Sequence, residues 1–204
     1  MGKGFVRGVN RVAVNFFLLS LCTNVNLICM RFLEKDLEDI IWESDRKALR
    51  DRGLWISGIM KRQLKIGNYG IADLVTFERE LGGYWDFSYL NDSKEEVCNY
   101  RNTRSLRVTI YELKKDSIDT NAFMQAIRYA KGIERYIEER GFAFSLKFNI
   151  VLIGKYLDME TSFSYLSSII CSDDFHLSCY TYNYKIDGLH FKSEYGYKLK
   201  EEGF

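Results

Sequence analysis

The order of periodic segments predicts an α/β protein: a helix, three strands, a second helix and a further strand, closed by a C-terminal β-hairpin. Two observations carry that expectation. Apolar residues recur at a period of ~3.6 in two long stretches, near residues 33–49 and 119–139. Between and after them lie shorter runs rich in β-branched and aromatic residues, some apolar on both faces, as strands buried in a central sheet require.

At 204 residues the chain is long enough to bury a core of its own, and 47% hydrophobic with 28% charged residues excludes a disordered or fibrous class. A formal charge of +1 gives no sign of nonspecific nucleic-acid binding, though a local basic cleft beside acidic residues would cancel in that sum. The five cysteines are odd in number, irregularly spaced and without a CxxC pair, so neither a disulfide framework nor a zinc ribbon is signalled. Cys171, His176 and Cys179 lie close together, but thiols in or near a strand read more simply as small apolar residues. This cysteine usage fits a reducing, cytoplasmic setting.

Residues 1–30 differ from the rest. Lys3, Arg7 and Arg11 precede the apolar run Val12–Cys22, which resembles a secretory signal, but Asn15, Asn24 and Asn26 interrupt the roughly 20 apolar residues a spanning helix needs. Three readings are open: an upstream extension with translation beginning at Met30, a signal or membrane anchor, or a packed part of the fold. Residues 31–204 form the expected domain.

The first helix is expected from Leu33 to Leu49, with Leu33, Leu37, Ile40, Ile41 and Ala48 on its buried side. Glu34 falls at the edge of that stripe and Glu38, one turn on, slightly further out. Asp51-Arg-Gly53 reads as the exit. Gly58–Ile66 is the first strand, and Gly67-Asn68 a turn. Ile71–Phe77 is a second strand, apolar on both faces except for Asp73, whose burial would be costly without a partner or a cation. From Glu78 to Arg107 the chain turns polar and irregular. Tyr84, Trp85, Phe87 and Tyr89 form an aromatic cluster there, and Arg101, Arg104 and Arg107 a basic one. A long hairpin anchored by its aromatics and a nucleic-acid-contacting loop both fit.

Val108–Lys115 is the third strand. Strand alternation puts Glu112 and Lys114 on one face and Leu113 on the other, so a carboxylate and an ammonium stand together at a strand end. The second helix, Asp119–Glu139, buries Ala122, Ala126, Ala130, Ile133 and Ile137, with Gly141 as C-cap. Gln125 and Tyr129 lie one turn apart at one edge of that stripe. Ser145–Ile153 is a strand, and His176–Lys192 a hairpin turning near Asp187-Gly188.

Hard oxygen ligands beside a cation are what metal-assisted phosphodiester hydrolysis needs. Gly70-Ile-Ala-Asp73 followed by Tyr111-Glu-Leu-Lys114 resembles the core of the PD-(D/E)XK nuclease superfamily, in the flavour of its RecB-like and NucS-like branch. Gln125-Ala-Ile-Arg-Tyr129 is similar to the family's Gln and Tyr one turn apart, and Glu34-Lys-Asp-Leu37 to its opening E-x-x-L. The resemblance covers about residues 31–155. Ala72 stands where the superfamily carries its proline, and the connection between the two motif strands exceeds a minimal hairpin.

The resemblance implies a restriction-endonuclease-like αβββαβ core with a central mixed sheet flanked by helices. It implies a nuclease dependent on Mg²⁺ (or Mn²⁺) with DNA as substrate, and leaves self-association as a homodimer open. Asp73 and Glu112 would hold the metal, with the Leu113 carbonyl a third oxygen. Lys114 would orient the water or stabilise the developing charge. Glu34 would add a ligand or an outer contact, with Glu38 as the substitute, and Gln125 and Tyr129 would position the site or the phosphate. A nucleic-acid-binding or assembly module that keeps the fold without turnover is the alternative. Only His176 and His190 are available for histidine chemistry, and neither G-x-S-x-G nor a P-loop occurs.

Overall fold

The computed structural model of the chain describes residues 32–89, 96–142, 145–158, 161–172 and 174–196. Its elements run α1 (Glu34–Glu43), α2 (Arg46–Asp51), β1 (Ile59–Lys65), β2 (Ile71–Tyr89), β3 (Glu96–Leu113), β4 (Ser117–Ile118), α3 (Thr120–Glu139), β5 (Ser145–Gly154), β6 (Tyr156–Leu157), α4 (Thr161–Ile170), β7 (Phe175–Lys185) and β8 (Gly188–Gly196). The readings of residues 1–30 lie outside the described residues. Among the described residues no helix is long and apolar enough to cross a membrane.

The protein is α/β, built on a mixed six-stranded sheet in the order β1-β2-β3-β5-β7-β8. β1, β2 and β3 form an antiparallel meander, β5 and β7 are added parallel, and β8 returns antiparallel as the C-terminal hairpin. The two parallel pairings are crossed by α3 and α4, as parallel neighbours require. A separate two-stranded ribbon pairs β4 with β6 beside the ends of β3 and β5.

Alternation along the strands divides the core into two layers. Val108, Ile110, Ile150, Leu152, Leu177 and Cys179 pack with Phe123, Ala126 and Ile133 of α3 and Phe163 of α4. On the other face Tyr111, Leu113, Val151 and Ile153 pack with Leu37 and Ile41 of α1 and Leu49 of α2. Buried on both faces, β5 therefore reads as a continuous apolar run.

Several expectations are corrected. The helix expected over Leu33–Leu49 is two helices, because Asp45 caps a new one by accepting from the Lys47 and Ala48 N–H groups. Within the stretch expected to be irregular, residues 78–89 and 96–107 are strand: β2 and β3 stay paired from Leu74↔Tyr111 out to Tyr89↔Glu96, well past the last β1 partner at Phe77 and the first β5 partner at Ser105. The packing of the aromatic cluster and of Arg101 lies outside the described side chains. Of the basic cluster, Arg107 is ion-paired with Glu80, while Arg104 is exposed. The expected helix over Asp119–Glu139 is present, with Asp119 accepting from Ala122 N–H at 2.9 Å and Gly141 at φ 65° past its end.

A carboxylate site at the open end of β2 and β3

The β2–β3 ladder stops at Leu74↔Tyr111, and the next rung would pair Asp73 with Glu112. Here Asp73 Oδ2 accepts the Leu113 N–H at 3.0 Å, so a side chain replaces the backbone partner. An extended residue points its N–H and C=O to the same side, so the Leu113 carbonyl also faces Asp73.

The strands are irregular at this rung. Ala72 packs in the α3 layer and Leu74 in the α1 layer, although residues two apart in a strand share a face. Across the pair, Met60 and Leu64 of β1 divide between the layers in the same way, and Gln63 between them has φ 49°, the one non-glycine left-handed residue among the described residues. With Arg62 paired to Leu74 and Leu64 to Ala72, Gln63 stands opposite Asp73. The side change on both strands sets Asp73 at a kink, not in a regular pleat.

Glu112 is the most deeply placed acid: its side chain is 1% exposed. One oxygen accepts from Lys114 Nζ at 2.7 Å, while Oε2 is buried without a hydrogen-bond partner. Burial first, and the neighbouring Asp73 charge second, raise the Glu112 carboxyl to about 7 against the pull of Lys114. Asp73 is raised chiefly by burial, with Glu38 and Glu34 adding to it and the Leu113 N–H and Lys114 opposing. For Lys114 burial works against the charge, but the Glu112 bond and the surrounding carboxylates outweigh it, so its ammonium is held above its ordinary value.

A buried carboxyl oxygen without a donor, near a second carboxylate, either takes a proton or pairs with a cation. The donors are hard oxygens from Asp73, Glu112 and the Leu113 carbonyl, which suits Mg²⁺, an ion that keeps several waters and uses one or two carboxylates. Among the described residues no group of three or more His, Cys, Asp and Glu side chains is placed to hold an ion, so water and backbone would complete the shell.

The other expected residues divide. Glu34 is exposed, on the first turn of α1, and its Oε1 accepts the Lys115 N–H at 3.4 Å. It borders a cleft of about 470 Å³ whose charged lining is Glu34, Lys35, Lys114, Lys115 and Asp116. Glu38, expected further out than Glu34, is the buried one at 6% exposure, because the first turn of α1 overhangs the cleft and the second lies over the sheet. It accepts from Arg62 and from Gln63 Nε2 at 2.7 Å, and Arg62 also bridges to Asp39. Gln125 donates to the Tyr129 hydroxyl at 2.7 Å, and neither bonds to Asp73, Glu112 or Lys114. The Tyr129 ring instead packs on Gly70 at the start of β2: a Cβ there would sit 2.9 Å from the ring, and φ is 117°. Its observed contact supports the entry to Asp73.

The sequence reading missed Arg62, Gln63 and Tyr182. Tyr182 donates its O–H to the Lys115 carbonyl at 2.5 Å, fixing the turn after Lys114. Nothing in their local pattern distinguishes these residues; only the pairing register and the layer order bring them to the site.

No protein-family model, no curated protein and no solved structure matches this chain.

Proposed function

We propose that the protein is a Mg²⁺-dependent nuclease that hydrolyses DNA phosphodiester bonds, on a restriction-endonuclease-like form of this α/β fold similar to the PD-(D/E)XK superfamily. The observation that carries the reading is the buried, unpartnered Glu112 Oε2 beside Asp73, with the Lys114 ammonium 2.7 Å from the other Glu112 oxygen. A binding surface has no use for a desolvated carboxylate pair, whereas a cation site does.

Asp73 and Glu112, with the Leu113 carbonyl, would hold the ion, which would supply Lewis-acid polarisation of the phosphate and acidify the attacking water. Lys114 stays protonated, so it acts as a donor and not as a base. At the lip of the cleft it would hold a non-bridging phosphate oxygen or the attacking water, where negative charge grows in the transition state. The water oxygen would bond to phosphorus as the bond from phosphorus to the leaving sugar oxygen breaks, the water proton passing to solvent through the cleft and the leaving oxygen taking up a proton from solvent. Asp73 is kept in line by the Leu113 N–H, and Glu34 adds negative charge at the rim. A cytoplasmic setting goes with this reading, as do the free thiols of Cys171 and Cys179.

Incubation of the purified chain with linear, branched, mismatched and single-stranded DNA tests it. Cleavage should need Mg²⁺ or Mn²⁺ and disappear in Asp73→Asn and Lys114→Ala variants that stay folded. DNA affinity indifferent to both Mg²⁺ and Asp73→Asn, without cleavage, would favour a binding module on the same fold.

A further inference from the structure

Three aromatic rings stand beside the cleft that holds Lys114, joined to it through Phe32, which precedes Leu33, and through Tyr182, which bonds to the Lys115 carbonyl. Phe32 precedes the first turn of α1, whose Glu34 and Lys35 line the cleft. Its ring meets Tyr184 of β7 at a centroid distance of 5.1 Å and an interplanar angle of 89°, and Tyr182 at 5.9 Å. Tyr182 and Tyr184 lie two residues apart on β7, 6.2 Å apart at 85°. Tyr182 is buried and tied to the Lys115 carbonyl; Tyr184 is 49% exposed. Both neighbours meet Tyr184 nearly at right angles, so neither lies flat on its ring.

Charge completes the pattern. The cleft presents the ammonium groups of Lys35, Lys114 and Lys115 against the carboxylates of Glu34 and Asp116, with the Asp36 carboxylate near Tyr184. Lysines suit phosphates, and an exposed tyrosine suits a flat apolar ring. In a duplex the base faces are already covered by their neighbours, so such a ring serves unpaired bases.

We propose that Tyr184, backed by Phe32, is a base-stacking platform for a single nucleic-acid strand whose backbone Lys35 and Lys115 lead to Lys114. This deepens the nuclease reading, resting on its nucleic-acid substrate, and assigns that substrate an unpaired segment next to the scissile bond. The strand would run from the β7–β8 hairpin, past the N-terminal turn of α1, to the end of β3.

The test is equilibrium binding of the full chain to a fluorescent oligothymidine and to a duplex, in EDTA so that cleavage plays no part. Wild type should bind the single strand more tightly than the duplex. Tyr184→Ala should weaken single-strand binding roughly 5- to 150-fold, the usual effect of removing one stacking ring, and leave duplex binding unchanged. Tyr184→Phe should keep the wild-type affinity. Lys35→Ala, at an exposed helix position, should reduce the salt slope of single-strand binding by about 0.7, a readout independent of how Tyr184→Ala folds. Equal or tighter duplex binding, single-strand affinity unchanged in Tyr184→Ala, or an unaltered salt slope in Lys35→Ala each overturns the proposal. The two readings fail separately. Single-strand binding as described without Mg²⁺-dependent cleavage sinks the nuclease; cleavage that persists with Tyr184→Ala binding like wild type sinks the platform.

Discussion

Replacing Glu112 with Gln should make the metal-free protein more stable at neutral pH, although Glu112 is the site's central acid. Its carboxyl titrates near 7 in the folded protein, against an ordinary value of 4.5, because burial and Asp73 disfavour its charge. Between those two values the folded chain holds a proton that the unfolded chain has lost. Stability therefore falls as pH rises through this window and levels off above it. At about 1.36 kcal/mol for each pH unit, the loss is roughly 3 kcal/mol, and the side chain is too buried for solvent to screen much of it. For a chain of this size that is roughly 6–12 °C in Tm. Asp73, also raised, adds to the fall in the same direction. The lowered carboxyls of Asp187 and Glu194 act only below their ordinary values, outside the window. The assay is thermal or urea unfolding in EDTA from pH 4.5 to 8, for wild type and Glu112→Gln. Wild type should lose stability across this range, while the variant should lose clearly less, keeping only the part due to Asp73. Saturating Mg²⁺ should restore wild type at pH 8 and leave the variant unmoved, since only the charged oxygen gains a ligand. Parallel curves for the two proteins in EDTA would refute the reasoning, because the carboxylate would then not be held against its charge.

Asp73→Asn keeps an oxygen for the Leu113 N–H, so it should unfold close to wild type while losing divalent-dependent cleavage in a gel assay. Gly70→Ala should cost about 1–3 kcal/mol by urea unfolding, since φ is 117° and the new methyl group would press on the Tyr129 ring. Arg62→Ala leaves the buried Glu38 with Gln63 as its one remaining donor, and should destabilise by roughly 1–3 kcal/mol in urea unfolding. Phe123→Ala, in the α3 layer, should cost about 3–5 kcal/mol without changing the pH profile of whatever activity remains.

How much of this was legible in the sequence depends on whether an element's pattern is local. α3 was, since its apolar stripe, its Asp119 cap and Gly141 all fall within one stretch. So was the Glu112–Lys114 pair, because strand alternation alone puts the two on one face. α4 was not read at all: Thr-Ser-Phe-Ser-Tyr-Leu-Ser-Ser-Ile-Ile is poor in strong helix formers, and of its described side chains only Phe163 and Ser167 are fully buried. The outer β2–β3 ladder read as irregular because its sequence mixes Gly82-Gly83 with polar residues, and it extends beyond the last β1 and the first β5 partners. Glu38 was placed too far out because a helical wheel ranks residues around an axis and is blind to which turn overhangs an edge. The Gly70–Asp73 motif was legible as residues, yet the kink that sets Asp73 needs Gln63 from the facing strand.

The costs collected at this one rung argue for function more strongly than any of its residues alone. Gln63 takes a left-handed conformation that a non-glycine residue avoids, Asp73 sits where two strands change sides, and Glu112 keeps a buried oxygen without a donor. Each is unfavourable, whereas the neighbouring residues of β3 and β5 bury apolar side chains on both faces of the sheet. A site under selection for stability alone would place a β-branched or aliphatic residue at position 112, as positions 108 and 110 on the same strand face do with Val and Ile. The strain is therefore local, shared by three strands that meet at one end of the sheet. A divalent cation would pair the orphaned oxygen, offset the repulsion between Asp73 and Glu112 and leave Lys114 free to face a phosphate. On the proposed nuclease reading the orphaned oxygen and the crowded carboxylates have a use, which a module that only binds would not give them.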